Sequence, residues 1–318
     1  MFDIRKVFGP RMIKTALSTF LTALICILLN LPPIFAVITA IVTIEPTAQA
    51  SIKKAFVRFP ASIIGAFLAV VSLYLIGENA FTYAISATLT IFVTYRLKLY
   101  DGMLVAAITS VAMIPSVEDA YVYNFVSRLA TTTIGLGTST LINYFVLPPK
   151  YTPQIKLQVA KAKKDTEALF RDRLKEIARE RYTSVKIERK YSAIQKQLNA
   201  SEKLIQYQQQ EYRYHKSKRT ELRELHQIEH DLQYEKMLLT RIGNLIYLPD
   251  TDSIQLDDEE KEILLSLSEQ LKDGHFHSEG LSLLNEKINI TEIHQSDFKV
   301  HLLHEIIIII EMHYKDNK

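Results

Sequence analysis

Residues 15–44, TALSTFLTALICILLNLPPIFAVITAIVTI, decide the fold class of this chain. The stretch contains no charged residue, and Pro32 and Pro33 interrupt it. Because proline removes a backbone donor and disfavours helix in the residue before it, we predict two apolar helices, about 12–31 and 34–45, joined by a tight turn. A membrane-spanning helix needs about 20 apolar residues, so the first helix is long enough to span a bilayer and the second is short.

Four further uncharged segments follow within the first 150 residues: 59–77, 79–95, 102–117 and 129–149. We expect the helix of the last segment to begin near Tyr121. Together with the first two helices, these segments make six predicted spans, of which the second and the fifth are short. The predicted fold class is all-α, beginning with a six-helix transmembrane bundle.

Charge divides the 318-residue chain into two unlike halves. Residues 1–150 hold 11 Lys and Arg and 6 Asp and Glu, whereas residues 151–318 hold 27 and 29. The mean hydropathy of +0.04 therefore averages a membrane half and a soluble half. We expect two domains, a transmembrane exporter-like domain over 1–150 and a cytoplasmic helical domain over 151–318.

The basic residues of the first half indicate its orientation in the membrane. Basic residues lie before the first span, between the second and third spans, and between the fourth and fifth spans, whereas the connections in between contain none. The nine basic residues are Arg5, Lys6, Arg11, Lys14, Lys53, Lys54, Arg58, Arg96 and Lys98. Since cytoplasmic loops carry the excess of Lys and Arg, we predict a multi-pass protein of the cell membrane with both termini in the cytoplasm. The lipid bilayer is its first expected partner.

The sequence of the second half predicts a cytoplasmic bundle of helices. Residues 154–248 contain no proline and one glycine, and their apolar residues recur every three or four positions, as in a helical hairpin or coiled coil. We expect long coiled-coil-like helices with an exposed tip or turn within 206–219. Two more helices are predicted at 257–272 and 298–314.

Several classes of protein are excluded by what the sequence lacks. A single cysteine, Cys26, excludes a disulfide framework or a cysteine-based zinc site, and no glycine-rich phosphate loop is present. The spacing of His226 and His230 would allow zinc binding, but a solvated helix face explains it better. The near-balanced charge of the second half argues against nucleic acid as a partner. We therefore expect no enzyme, no metal and no cofactor.

Polar residues form stripes along the predicted spans. In the sixth span the stripe consists of Asn124, Arg128, Thr131, Gly135, Ser139 and Asn143, and in the fourth of Thr82, Ser86, Thr90 and Thr94. Such stripes serve either helix packing or a polar pathway for a solute. Arg128 either attracts an anion inside the bundle or extends to the membrane surface. No acidic residue lies deep in a span, so a pathway here suits an anion.

Three segments resemble the bacterial aromatic acid exporter family. They are residues 44–58, IEPTAQASIKKAFVR; residues 96–102, RLKLYDG; and the sixth span with Arg128, Gly135, Asn143 and the terminal prolines 148 and 149. The resemblance covers about residues 5–150, and the helical tail resembles the C-terminal domain found in the Gram-positive branch. This chain has Glu45 where the family often has an uncharged polar residue, and Ala61 and Ser62 in place of a Gly-Thr pair.

The resemblance implies a six-span unit that exports aromatic or other small organic acid anions, with a homo-oligomer as the expected assembly. The candidate substrate-binding residues are Arg128, Asn143, Arg58, Lys54, Glu45 and Gln49. Two other functions remain open at this point. The protein is either a membrane-anchored scaffold or sensor that acts through its cytoplasmic helices, or a passive anion channel.

Overall fold

The computed structural model describes residues 9–116, 120–182, 184–215, 217–248, 254–273, 282–285 and 297–316, and these contain helices and no strand. The chain divides into two compact units. The first comprises Met1–Lys150 together with Tyr207–Lys216, and the second comprises Tyr151–Gln206 and Ser217–Lys318. The all-α fold class is confirmed for the residues that are described.

Between residues 9 and 150, the described part of the first unit contains six α-helices and one turn of 3-10 helix. The α-helices are α1 (Pro10–Leu28), α2 (Pro33–Thr43), α3 (Ala48–Ile76), α4 (Ala80–Arg96), α5 (Tyr100–Met113) and α6 (Tyr121–Phe145), with the 3-10 turn at Ile114–Ser116. Helix α3 packs on α4, α5 and α6, and α6 also packs on α1 and α2. Helices α3 and α6 therefore form the centre of this unit.

Two of these helices are long and apolar enough to cross a membrane, α1 and α3. Helices α2 and α5 are apolar but shorter, with 11 and 14 residues. The break between α1 and α2 falls where the two prolines predicted it, and Pro33 is the first residue of α2. Asn30 makes the turn possible, because it adopts a φ of 54°, in the left-handed region that asparagine tolerates.

Helix α3 differs from the sequence-based expectation. The third span was predicted from the uncharged residues 59–77 alone, after the segment 44–58 that carries the family resemblance and is called the signature segment below. Most of that segment and the span instead form one helix of 29 residues that continues through Pro60. Thr47 caps its N-terminus by accepting a hydrogen bond from the backbone N–H of Ala50 at 3.1 Å. Continuity through the proline brings the signature residues and the apolar span into a single rigid element.

Close helix contacts in this unit depend on glycine. A Cβ added to Gly102 of α5 would overlap Ala61 of α3, and one added to Gly65 of α3 would overlap the carbonyl oxygen of Ala106. The two helices thus pack backbone to backbone, as small residues allow in membrane proteins. Gly135 does the same for α6 against α2, where the neighbour is the carbonyl oxygen of Ala36.

The second unit contains α7 (Thr152–Ala178), α8 (Val185–Tyr214, whose last residues belong to the first unit), α9 (Arg219–Ile246), α10 (Asp258–Asp273) and α11 (Asp297–Asp316). Helix α7 packs on α9 and α10, and α9 packs on α11. The predicted helices at 257–272 and 298–314 are confirmed within two residues. The predicted turn within 206–219 is also confirmed, because α8 ends at Tyr214 and α9 begins at Arg219.

One break in the second unit was not predicted. The long helix expected from residue 154 is interrupted after Ala178, and Glu180 adopts a φ of 55°. Arg173, which is fully buried, stabilises the break by donating to the carbonyl oxygens of Tyr182 at 2.8 Å and Arg181 at 3.2 Å. No proline or glycine in the sequence marks this break. The backbone carbonyls that it frees are instead satisfied by one buried arginine of the preceding helix.

Candidate functional site

The predicted polar stripes lie in the interior of the first unit. In α4, the stripe residues Thr82, Ser86, Thr90 and Thr94 are all fully buried. In α6, Arg128, Thr131, Gly135, Ser139 and Asn143 are buried as well, whereas Asn124, the first residue of the predicted stripe, is half-buried. Each stripe follows one face of its helix, so the period of 3.6 residues identified these faces correctly.

Helix α6 separates the candidate residues into two places. Arg128 and Asn143 share a face but are fifteen residues apart, which corresponds to roughly 22 Å along the helix. Arg128 lines a cavity near the beginning of α6, and Asn143 lies in a polar network near its end. The six candidates therefore do not form one site.

Arg128 is buried, with 7% of its surface exposed, which favours the first of the two alternatives, a side chain inside the bundle, over one that extends to the membrane surface. One guanidinium nitrogen, Nη2, donates to Thr109 Oγ1 of α5 at 2.8 Å. The guanidinium carbon lies 3.9 Å from the centre of the Phe35 ring of α2. Three helices thus hold the charge in place, with a cation–π contact on one face.

The remaining donors of Arg128 have no partner among the described residues. Its Nε and Nη1 atoms are buried and make no hydrogen bond. The Arg128 residue also lines a cavity of about 250 Å³, whose other lining residues are Pro32, Phe35, Met113, Asn124, Ser127 and Thr131. A buried cation with free donors next to an open cavity is suited to bind an anion, because an unpaired buried charge is costly.

Asn143 is the centre of the polar network at the other end of α6. Its Oδ1 atom accepts from Lys14 Nζ at 2.8 Å. Its Nδ2 atom lies 2.7 Å from Ser51 Oγ and 3.1 Å from the backbone oxygens of Glu45 and Thr47. The amide therefore ties α1 and α6 to the connection that precedes α3. Every polar atom of this side chain is used, which is the expected state of a fully buried amide.

Glu45, Arg58 and Lys54 form an ion-pair cluster beside this network. Glu45 Oε1 lies 2.9 Å from Arg58 Nη2, and Glu45 Oε2 lies 3.1 Å from Lys54 Nζ. Arg58 also donates to the carbonyl oxygens of Val42 and Asp101. Asp101 Oδ1 lies 3.9 Å from Lys54 Nζ, so two carboxylates balance the two cations and the cluster joins α2, α3 and α5.

Gln49 does not join these contacts, although it lies in the first turn of α3. Its Oε1 atom is buried and makes no hydrogen bond among the described residues. The structure thus brings Asn143, Arg58, Lys54 and Glu45 together, leaves Gln49 beside them, and separates Arg128 from all five.

Several residues of these two places were missed from the sequence. Lys14 was taken for an orientation signal, but it lies within α1, is 4% exposed and binds Asn143. Phe35 and Thr109 were not singled out in the sequence. For Lys14 a signal existed, because Lys14, Ser18 and Thr22 recur every four residues on one face of α1, and all three are buried.

The last residues of α8 also reach this network. Glu211, with 2% of its surface exposed, accepts the backbone N–H of Ala48 at 2.6 Å. Thr47 Oγ1 donates to Gln210 Oε1 at 2.8 Å. His215 Nδ1 lies 3.1 Å from Glu211 Oε2, and its Nε2 lies 2.9 Å from the carbonyl oxygen of Tyr144. The expected exposed tip is therefore buried at Glu211, because it caps the N-terminus of α3.

The histidine pair that suggested zinc has a different setting. His226 and His230 lie exposed on α9. Within the described ranges, no three residues of His, Cys, Asp or Glu are grouped so that they could hold a metal ion.

Comparison with known proteins adds to this geometry. Residues 6–146 match the family described as aromatic acid exporter family member 1. A UPF0421 protein of Staphylococcus haemolyticus (strain JCSC1435) is 40% identical over 316 residues, covering 97% of this chain and 96% of the relative. A UPF0421 protein of Staphylococcus aureus (strain MRSA252) is 42% identical over 313 residues, covering 96% and 95%. The chain belongs to the aromatic acid exporter family.

Proposed function

We propose that the protein exports small organic acid anions, aromatic carboxylates foremost, across the cell membrane. The observation that carries this proposal is the buried Arg128 guanidinium, with two unpaired nitrogens, at the edge of a cavity that also contains the Phe35 ring. Membership of an exporter family supports transport as the general activity.

The chemistry of the cavity favours an aromatic carboxylate. A carboxylate accepts charge-assisted hydrogen bonds from a guanidinium, and these are stronger than bonds between neutral groups. The Phe35 ring and the apolar Pro32 and Met113 side chains would contact the ring of the solute. The hydroxyl of Ser127 and the amide of Asn124 would serve further polar substituents.

The size of the cavity favours a small solute. Its volume of about 250 Å³ lies just below the roughly 300–1,000 Å³ of sites that hold drug-sized ligands. A benzoate-like acid with one ring therefore fits the proposal better than a large conjugate.

We place the six helices of the first unit across the membrane, with both termini in the cytoplasm. The nine basic residues at alternate connections support this orientation. Helices α2 and α5 are short for a span, but they are packed against α1, α3, α4 and α6, which would shield their ends from lipid. Reporter fusions at Glu78 and at Lys98 test the arrangement, since the two connections should report opposite sides.

Substitution of Arg128 tests the proposed site. Cells that lack the native protein would express the wild type, Arg128→Ala, Arg128→Lys or the exposed-residue control Arg96→Ala, and efflux would be measured for a panel of aromatic and aliphatic acids. We expect Arg128→Ala to lower efflux at least tenfold, Arg128→Lys to retain part of it, and Arg96→Ala to match the wild type. Wild-type efflux by an Arg128→Ala protein that reaches the membrane would refute the site.

A passive channel and a coupled exporter differ in how flux depends on the gradients. In liposomes that contain the purified protein, a channel moves the acid anion only down its electrochemical gradient. We propose coupled export, so accumulation against that gradient is the expected result when a proton gradient is supplied. The homo-oligomer and the scaffold function remain predictions from sequence.

A further inference from the structure

An apolar groove lies on the outer surface of the first unit, between the central helices α3 and α6. Its volume is about 440 Å³, which falls within the roughly 300–1,000 Å³ that is typical of ligand sites. Its lining includes Ile52, Phe56 and Phe59 of α3 and Leu136, Gly137 and Leu141 of α6. Because Phe56 and Leu141 are exposed, the groove opens away from the helix bundle.

Two polar groups lie at one end of this groove. The Asn143 side-chain nitrogen lies 2.7 Å from Ser51 Oγ, so these two positions are at the same level of α6 and α3. Thr140, which lines the groove, and Lys53 are each within one turn of helix from that contact. The Oγ1 atom of Thr140 is buried and makes no hydrogen bond among the described residues. A hydroxyl and an ammonium are therefore available where the groove ends.

Lys53 differs from the two basic residues that follow it in α3. Lys54 and Arg58 bind the carboxylate of Glu45, at 3.1 and 2.9 Å. None of the ion pairs formed by the described residues includes Lys53, whose side chain is exposed. Its flexible stem can therefore place the ammonium over the end of the groove, where it attracts an anion.

We propose that this groove binds one anionic phospholipid of the cytoplasmic leaflet. The phosphate accepts a hydrogen bond from Lys53 Nζ, an ester carbonyl oxygen accepts one from Thr140 Oγ1, and an acyl chain lies along the apolar lining toward Phe59. The inference rests on the proposed placement of the six helices across the membrane, in which the beginning of α3 and the end of α6 lie on the cytoplasmic side. Anionic lipids of that leaflet attract Lys and Arg.

The order of chemical groups along the groove matches the order of groups in such a lipid. Because α3 and α6 run in opposite directions in this placement, the groove leads away from the cytoplasm from Lys53 on one helix and from Thr140 on the other. The cation comes first, the unpaired hydroxyl next and the apolar lining last. At the far end, the Thr133 hydroxyl donates to the carbonyl oxygen of Leu129 at 2.8 Å, so it places no unpaired polar atom against a hydrocarbon chain.

Gly137 supplies the space for the acyl chain. A Cβ at this position would meet nothing within 4 Å, so no described neighbour requires a glycine here. Glycine inside a helix is less favourable than alanine. A molecule that lies against the α6 backbone gives this glycine a physical reason.

A second copy of the chain fits this face less well than a lipid does. Two copies in one membrane that share the face would be related by a two-fold axis along the membrane normal, which brings the two Lys53 side chains to the same level of the interface. Like charges repel there, and the carboxylate of Glu45 is already bound to Lys54 and Arg58. A phosphate has the opposite charge and forms a charge-assisted hydrogen bond instead.

Native mass spectrometry of the full-length protein tests the lipid site and counts the copies of the chain in the same spectrum. The purified protein in a mild detergent is titrated with phosphatidylglycerol, an anionic probe, or with phosphatidylcholine of the same acyl chains, a zwitterionic probe. We expect one phosphatidylglycerol per chain to bind about fivefold more tightly than phosphatidylcholine, which is the effect of one basic residue near an anionic lipid surface.

Two variants, each with a matched control, locate the site. Lys53→Gln should lower the affinity for phosphatidylglycerol about fivefold, whereas Arg96→Gln, which removes an exposed cation at the end of α4, should not. Gly137→Leu should fill the groove and weaken the binding of both lipids by about tenfold or more, since each methylene displaced from the groove costs about fourfold in affinity. Ala84→Leu, at an exposed position of α4, should change neither affinity.

A preference for phosphatidylglycerol that Lys53→Gln abolishes and Gly137→Leu weakens establishes the site. Equal affinities of the wild type for the two lipids overturn it, and so does a Gly137→Leu protein that binds phosphatidylglycerol as the wild type does. Copies of the chain that associate in the wild type and separate in Gly137→Leu also overturn it, because the groove is then an interface between copies. No transported acid is present, so export can fail while the lipid site is established, and the lipid site can fail while the Arg128 variants still show the proposed export.

Discussion

Gly135 offers a sharp test of how α2 and α6 form the Arg128 cavity. A Cβ at this position would overlap the carbonyl oxygen of Ala36 and lie 3.0 Å from the Cβ of Thr39. The carbonyl belongs to the α2 backbone and cannot rotate away, so Gly135→Ala forces α2 to move outward. Phe35 is the neighbour of Ala36 in α2, and the movement would draw its ring away from the Arg128 guanidinium.

A matched control lies two residues away on the same helix. A Cβ at Gly137 meets nothing within 4 Å. Both substitutions bring the same gain in helix propensity, about 1 kcal/mol. The difference between Gly135→Ala and Gly137→Ala therefore isolates the cost of overpacking, about 2 kcal/mol. For a unit of this size, that cost corresponds to roughly 4–8 °C in the melting temperature.

Thermal unfolding of the purified protein in detergent measures this difference. The chain contains no tryptophan, so the loss of helical circular dichroism is the appropriate signal. We expect Gly137→Ala to melt at or above the wild-type temperature and Gly135→Ala below it, with lower efflux of aromatic acids as well. Equal melting temperatures for the two variants would refute the close packing of α2 against α6.

Three further predictions test other parts of the structure. Asn143→Ala leaves the buried Lys14 ammonium without its side-chain acceptor, and we expect a loss of roughly 3–5 kcal/mol in the unfolding free energy, measured by denaturant titration. Phe35→Leu removes the cation–π contact, worth about 1–2 kcal/mol, so efflux of aromatic acids should fall relative to aliphatic acids, whereas the exposed-residue control Phe67→Leu should not change the ratio. Arg173→Met leaves three backbone carbonyls of the second unit unsatisfied; a drop of roughly 3–5 kcal/mol is expected, and a melting temperature within 1 °C or so of the wild type would contradict the assigned role.

Burial disfavours the charged form of this last arginine. Desolvation lowers the pKa of the Arg173 guanidinium below its ordinary value, with the nearby Glu176 acting in the opposite direction. The charged form is thus less favoured in the folded protein than in water. The hydrogen bonds to three carbonyl oxygens are what make this buried cation tolerable.

Periodicity and charge in the sequence determined much of this architecture. The buried stripes of α4 and α6, the turn at Pro32 and Pro33, and the helix start near Tyr121 were all predicted correctly. These features depend on local rules, because proline interrupts a helix and a period of 3.6 residues identifies the side chains that share one helix face. In α1 the buried face consists of Lys14, Ser18, Thr22 and Cys26, which recur every four residues.

The tertiary structure alone decided which side chains meet. Arg128 of α6 binds Thr109 of α5 and lies over Phe35 of α2, and Glu211 reaches Ala48 from 163 positions away in the chain. A stripe on one helix shows that its residues face the interior but does not identify the helix opposite. The sequence thus predicted that Arg128 lies on the polar face of a largely apolar helix. Only the packing of α2 and α5 around it decided that its side chain is buried, with two unpaired nitrogens, in the wall of a cavity, because contacts between distant segments depend on how whole helices pack.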